Sequence, residues 1–122
     1  MSDEQMVTVR EGAQAFVLEV TGEIDIDTVD ALEEGMTRAW EANAPVTVVD
    51  LSGIRFADSS LLNLLLEAQA RHSAAGRRLA VAGPFHDAVR RLFDLTGTAG
   101  HLPLTENVEA AVRGAASDSD RR

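Results

Sequence analysis

The sequence predicts an α/β fold: a mixed, mostly parallel sheet of about four to five strands, opened by a hairpin and covered by about four helices. Two observations lead there. Short runs rich in β-branched residues alternate with segments whose apolar residues recur at helical spacing. The first two runs are separated only by a short Gly-containing turn, so a hairpin precedes the alternation.

The elements follow in order. Residues 6–10, MVTVR, alternate apolar and polar as a half-buried strand does, and residues 15–20, AFVLEV, form its partner across the turn EGAQ. In the next segment Val29, Leu32, Met36, Ala39 and Trp40 mark a helix. Asp27 stands at its expected N-cap, with Asp30 in the first turn where the helix dipole favours a carboxylate. Pro45 follows its end. Residues 46–51, VTVVDL, are nearly continuous and β-branched, as expected of a central strand buried on both faces. SGIRFA reads as a short connector to a helix from Ser59 to Ser73, closed by Gly76. RRLAVAG is a further strand. Pro84 is expected to open a third helix, with Phe85, Val89, Leu92 and Phe93 on one side. HLPL reads as a short edge strand, and TENVEAAVRG as a last helix capped by Thr105. One domain over residues 1–114 is expected, with 115–122 as a small, polar, unstructured tail. No internal repeat is visible.

Composition narrows the functional classes. A chain of 122 residues suits one domain with one core. It has no Cys, which removes disulfides and thiolate metal sites. No apolar run approaches the ~18–20 residues of a membrane span, and the acidic start MSDEQM is unlike a signal peptide, so a cytoplasmic location is expected. A net charge of −9 repels nucleic acid and anionic lipid, and suits a protein partner with a basic patch. Every basic residue is arginine. Chemistry that needs a lysine amine, including Schiff bases and a Walker A lysine, is therefore excluded.

The segment FADSSLL carries the most information. Asp58 is a good N-cap, which puts Ser59 and Ser60 in the first turn of a helix. Capping alone accounts for these residue types. The same place also tolerates a phosphate, because unpaired N–H groups and the positive end of the dipole meet there. On the helix itself, Leu62, Leu65, Leu66 and Gln69 cluster on one face, opposite Ser60, Asn63, Glu67 and Arg71. Leu64 projects near the polar face and Leu61 flanks it. Those two leucines form either a docking surface or one side of a wide apolar stripe wedged into the fold.

Other candidates are weaker. Glu23 and Asp25 read as a polar turn and cap, or as an acidic pair. Asp50 ends the predicted central strand as a receiver domain's phosphoacceptor does, but a receiver also needs a lysine. His72, His86 and His101 lack metal-site spacing and read as surface residues. Ser59 lacks the flanking glycines of a hydrolase elbow, and no glycine-rich phosphate loop is present. The expectation is a protein that is not an enzyme.

Three stretches, TGEID at 21–25, VVDLSGIRFADSS at 48–60 and VRRLFDLTG at 89–97, resemble the STAS domain, and within it the bacterial anti-sigma factor antagonists of the sporulation and stress-response type. The similarity covers about residues 6–113. It implies a partner switch. Such proteins bind an anti-sigma factor that is also a serine kinase of the GHKL type. Phosphorylation of the serine after the aspartate, here Ser59, ends the binding, and a PP2C-type phosphatase restores it. Asp25 matches the aspartate that supports this site, and Asp58, Ser60, Leu61 and Leu64 would lie around it. The nucleotide and Mg²⁺ belong to the kinase, so no cofactor of the chain's own is implied. The family usually has Gly after the serine pair, where this chain has Leu61. Gly would leave the helix start open to a partner's loop, and Leu fills it. The alternative is a STAS interaction module without a phosphoswitch, as a scaffold or a transport-complex subunit.

Overall fold

The computed structural model describes residues 6–12 and 14–120, and the side chains of 7–12 and 14–114. The strands are β1 (Met6–Glu11), β2 (Ala15–Ile24), β3 (Val46–Ala57), β4 (Arg78–Ala82) and β5 (Leu104–Thr105). The helices are α1 (Val29–Ala42), α2 (Ser59–Ala74), α3 (Asp87–Thr96) and α4 (Val108–Asp120), with one 3-10 turn at Ala99–His101. The strands form one sheet in the order β1-β2-β3-β4-β5. β1 and β2 are antiparallel, and every later pairing is parallel. The expected hairpin, mixed sheet and four helices are all present. The expected tail at 115–122 overlaps the assigned end of α4 at Asp120, and its side chains lie outside the described residues.

The two central strands are buried on both faces, as the run VTVVDL implies. Val49, Leu51, Leu79 and Val81 join one large cluster with Leu32 and Met36 of α1, Leu61 and Leu65 of α2, and Val89 and Phe93 of α3. Alternate positions Val46, Val48, Ala80 and Ala82 form a second, smaller cluster with Ala111 of α4. The small residues there let α4 approach the sheet closely. Burial of each leucine in the large cluster contributes about 1.5–3 kcal/mol.

Several local expectations are corrected. β2 and β3 are longer than predicted. TGEI and SGIRFA are strand, paired through Thr21↔Gly53, Gly22↔Ile54, Glu23↔Phe56 and Ile24↔Ala57, with register shifts on the way. Their Gly, Ser and charged residues hide the alternation, and pairing in the sheet, mainly with each other, makes them strand. A Cβ on Gly53 would lie 2.8 Å from Thr21 Cγ2 and 3.0 Å from the Val20 carbonyl oxygen, so glycine fits this close approach. Asp50 consequently sits inside β3, where its carboxylate accepts the Ser52 N–H at 3.0 Å.

Helix starts also move. α1 begins after Thr28, not Asp27, because Asp25 holds the preceding turn. Pro84 stands outside α3, which starts at Asp87; the Phe85 ring folds back edge-on against Phe93, with centroids 5.5 Å apart. α4 is capped by Asn107, whose carboxamide oxygen accepts the Ala110 N–H at 2.8 Å. Thr105, the expected cap, ends β5 instead.

The buried stripe of α2 is rotated from the expected one. It runs Leu61, Leu62, Leu65, Ala68 and His72, with Leu66 and Gln69 only half-buried. Two expectations fail here. Leu61 has no exposed surface, so it is a core residue and cannot touch a partner. His72 is buried rather than on the surface. Its Nδ1 lies 2.7 Å from the Ala68 carbonyl oxygen, and a carbonyl can only accept, so Nδ1 carries the proton. Nε2 is buried without a hydrogen-bond partner among the described residues. The ring meets the edge of Trp40 at 5.0 Å between centroids, and the Arg71 and Arg77 guanidiniums lie 4.1 and 4.0 Å from the Trp40 centroid. Burial holds the His72 pKa below the ordinary histidine value. The Ala68 hydrogen bond opposes this, and the Arg77 and Arg71 charges add to it.

Two outcomes follow from this packing. The lowered folded-state pKa of His72 means that its stabilising contribution is complete above the unfolded value of about 6.5 and is lost as pH falls through and below it. Urea unfolding should therefore show a loss of stability between about pH 7 and pH 5 that is smaller in His72→Gln; equal losses would contradict the buried neutral ring. Leu61→Ala should cost about 2–5 kcal/mol of unfolding free energy, as core truncations do. A change under about 0.5 kcal/mol would place Leu61 at the surface after all.

Candidate functional site

The extended pairing of β2 with β3 sets the position of the Asp58-Ser59-Ser60 segment. β4 accompanies β3 only as far as Asp50, so the two longer strands run on together beyond it. Where they end, the Asp58 N–H donates to the Ile24 carbonyl at 3.1 Å. That bond ties the start of α2 to the residue before Asp25.

Asp58 caps α2. Its backbone is extended, its carboxylate accepts the Ser60 N–H at 2.8 Å, and its carbonyl accepts the Leu61 N–H at 3.1 Å. Ser60 is half-buried in this first turn. Ser59 is exposed, and its hydroxyl makes no hydrogen bond among the described residues. Asp25 is half-buried, and one of its carboxylate oxygens is committed to the turn before α1. That oxygen accepts the N–H groups of Asp27 and Thr28 at 2.9 and 3.1 Å and the Thr28 hydroxyl at 3.2 Å. Asp25 is thus brought to the same end of the sheet as Ser59, although no hydrogen bond joins them.

Ser59 opens onto a groove of about 1030 Å³ between the end of β3 and α3. Phe56, Ala57 and Asp58 line one side, and Ala88, Arg91, Leu92 and Leu95 the other. Phe56 is 49% exposed and Leu95 79% exposed, and Ile26, on the turn after Asp25, is 75% exposed. These are the exposed large hydrophobic residues among those described. Among the described residues no histidine lines the groove. The groove sets an exposed serine beside exposed apolar side chains.

Leu64 is not part of this groove. It is half-buried in a separate cleft between α1 and α2, with Met36, Trp40, Glu67 and Arg71. Of the expected site residues, the fold gathers Ser59, Asp58, Ser60 and Asp25, turns Leu61 inward and places Leu64 elsewhere. Phe56 and Leu95 were missed. Phe56 lay in a segment read as connector. Leu95 was legible, because it falls off the stripe that buries Val89 and Phe93. Among the described residues no group of three or more His, Cys, Asp or Glu could hold a metal ion, and no helix is long and apolar enough to cross a membrane.

Comparison with solved structures finds similar folds. An anti-sigma factor antagonist from Mycobacterium paratuberculosis superposes with a TM-score of 0.83 at 27% identity, over 94% of this chain and 97% of that one. The anti-sigma factor antagonist SpoIIAA in its unphosphorylated form gives a TM-score of 0.70 at 19% identity, over 95% of this chain and 96% of the other. An anti-sigma-factor antagonist (STAS) domain protein from Planctomyces limnophilus gives 0.71 at 17% identity, over 89% and 96%. Comparison with curated proteins finds no match. A family model described as "Mlab, STAS domain" matches residues 7–106. That span runs from the hairpin to the threshold of the last helix and includes the whole of the Ser59 groove, so the chain belongs to the STAS domain family.

Proposed function

We propose that this chain is an anti-sigma factor antagonist in a partner-switching pathway. It docks on a kinase-type anti-sigma factor through the surface around Ser59, and phosphorylation of Ser59 by that partner ends the association. The observation that carries this reading is the exposed, unbonded Ser59 hydroxyl at the rim of a groove with Phe56 and Leu95 on its walls. The likeness at 27% identity to an anti-sigma factor antagonist supports it.

The physical logic is local. In the transfer, the Ser59 oxygen takes the γ-phosphoryl group of ATP, ADP leaves, and the hydroxyl proton passes to a base of the kinase. The helix N-terminus tolerates the new group, so the domain stays folded. The group adds about −1.5 to −2 charge beside apolar side chains, which is costly to bury against a partner. Asp58 holds the first turn in place, and Asp25 holds the neighbouring turn. A PP2C-type phosphatase would reverse the mark by hydrolysis.

The kinase-type anti-sigma factor encoded nearest the gene is the natural reagent. Incubated with it and ATP, the wild type should gain one phosphate at Ser59 by mass spectrometry, and Ser59→Ala should gain none. Equal labelling of the two would remove the site assignment. No transfer to either, with tight binding retained, would favour a STAS interaction module without a phosphoswitch. In calorimetric titration, Ser59→Asp should bind the partner at least about tenfold more weakly, ~1.4 kcal/mol. Leu95→Ser, which alters an exposed position, should weaken binding without lowering the melting temperature. Unchanged affinity in both variants would move the interface away from this groove.

A further inference from the structure

We propose that Arg91 captures the phosphate once Ser59 carries one, so that the modification closes the groove as well as charging it. This rests on the reading of Ser59 as the modified residue.

Ser59 and Arg91 line the same groove from its two sides. Helical spacing turns Val89 and Phe93 of α3 into the core and sets Ala88, Leu92 and Leu95 along the groove. Arg91 stands on the outer edge of that row, next to Leu95, and is exposed. Asp87 and Asp94 are its neighbours on the helix, yet among the described residues Arg91 makes no ion pair. Arg90 flanks it, with its guanidinium 5.5 Å from the Phe85 ring centroid.

The charges in the groove favour this capture. Asp58, Asp87 and Asp94 contribute carboxylates, and Arg90 and Arg91 the guanidiniums. A phosphoserine at position 59 would stand beside the Asp58 carboxylate and needs a compensating cation. A phosphate dianion carries more charge than any of the carboxylates and offers three acceptor oxygens to the planar guanidinium fork. It therefore outcompetes them for Arg91. The resulting bridge spans the groove above Phe56 and Leu95 and covers the apolar surface.

The test uses full-length protein with phosphoserine installed at position 59 during translation, followed by phosphorus NMR across pH. The phosphate should take its second negative charge at a pH lower by roughly half a unit in the otherwise wild-type chain than in Arg91→Gln, a modest shift suited to an exposed pair. Arg38→Gln, which removes the same charge from an exposed position on α1, should titrate like wild type. If Arg91→Gln titrates like wild type, the bridge does not form. If Arg90→Gln alone raises the value, the assignment to Arg91 is wrong. Because the phosphate is placed without a kinase, this result is independent of the transfer assay, and either can fail while the other holds.

Discussion

The parallel pairing of β2 with β3 beyond the end of β4 is the constraint on which the site depends. Over Thr21–Ile24 and Gly53–Ala57 the two strands have each other but not β4. The pairing survives two register shifts and needs a glycine at position 53. It ends in the bond from the Asp58 N–H to the Ile24 carbonyl. The β2 and β3 side of the candidate site hangs from that last rung. Asp25 follows Ile24, Ser59 follows Asp58, and Phe56 faces the groove just before the strands stop.

α2 is held at both ends, so the fold determines where Ser59 stands. At its start, Asp58 caps the helix and Leu61 is sealed into the main cluster. At its end, His72 packs on Trp40, and Arg77 donates to the Trp40 carbonyl at 3.1 Å. Under the proposed function, a surface fixed in this way would be altered by chemistry at one hydroxyl without refolding. In the proposed switch the change would lie in charge and shape at the groove, with the core beneath keeping its packing.

Leu61, where the family resemblance leads to an expected glycine, takes on a different meaning from the one its position suggests. Its side chain points away from the groove, toward the sheet, and contributes burial instead of contact. The apolar surface available to a partner comes from other elements, Phe56 of β3 and Leu95 of α3. Buried and exposed apolar surface therefore lie on different faces of neighbouring elements.

The sequence by itself determined the α/β class, the hairpin, the central strand and the four helices, because these follow from local period and turn chemistry. It also marked Asp58 as a cap and Ser59 as a first-turn residue, both local consequences of the helix start. The tertiary structure alone decided the rest. TGEI and SGIRFA become strand mainly through each other, since backbone pairing can override a weak pattern. The phase of α2 was set by packing against the sheet, which drew Leu61 and His72 inward although helical spacing alone allowed more than one stripe. The groove joins β3 to α3, residues distant in the chain, and no local signal encodes which side chains a fold will place across a gap from one another.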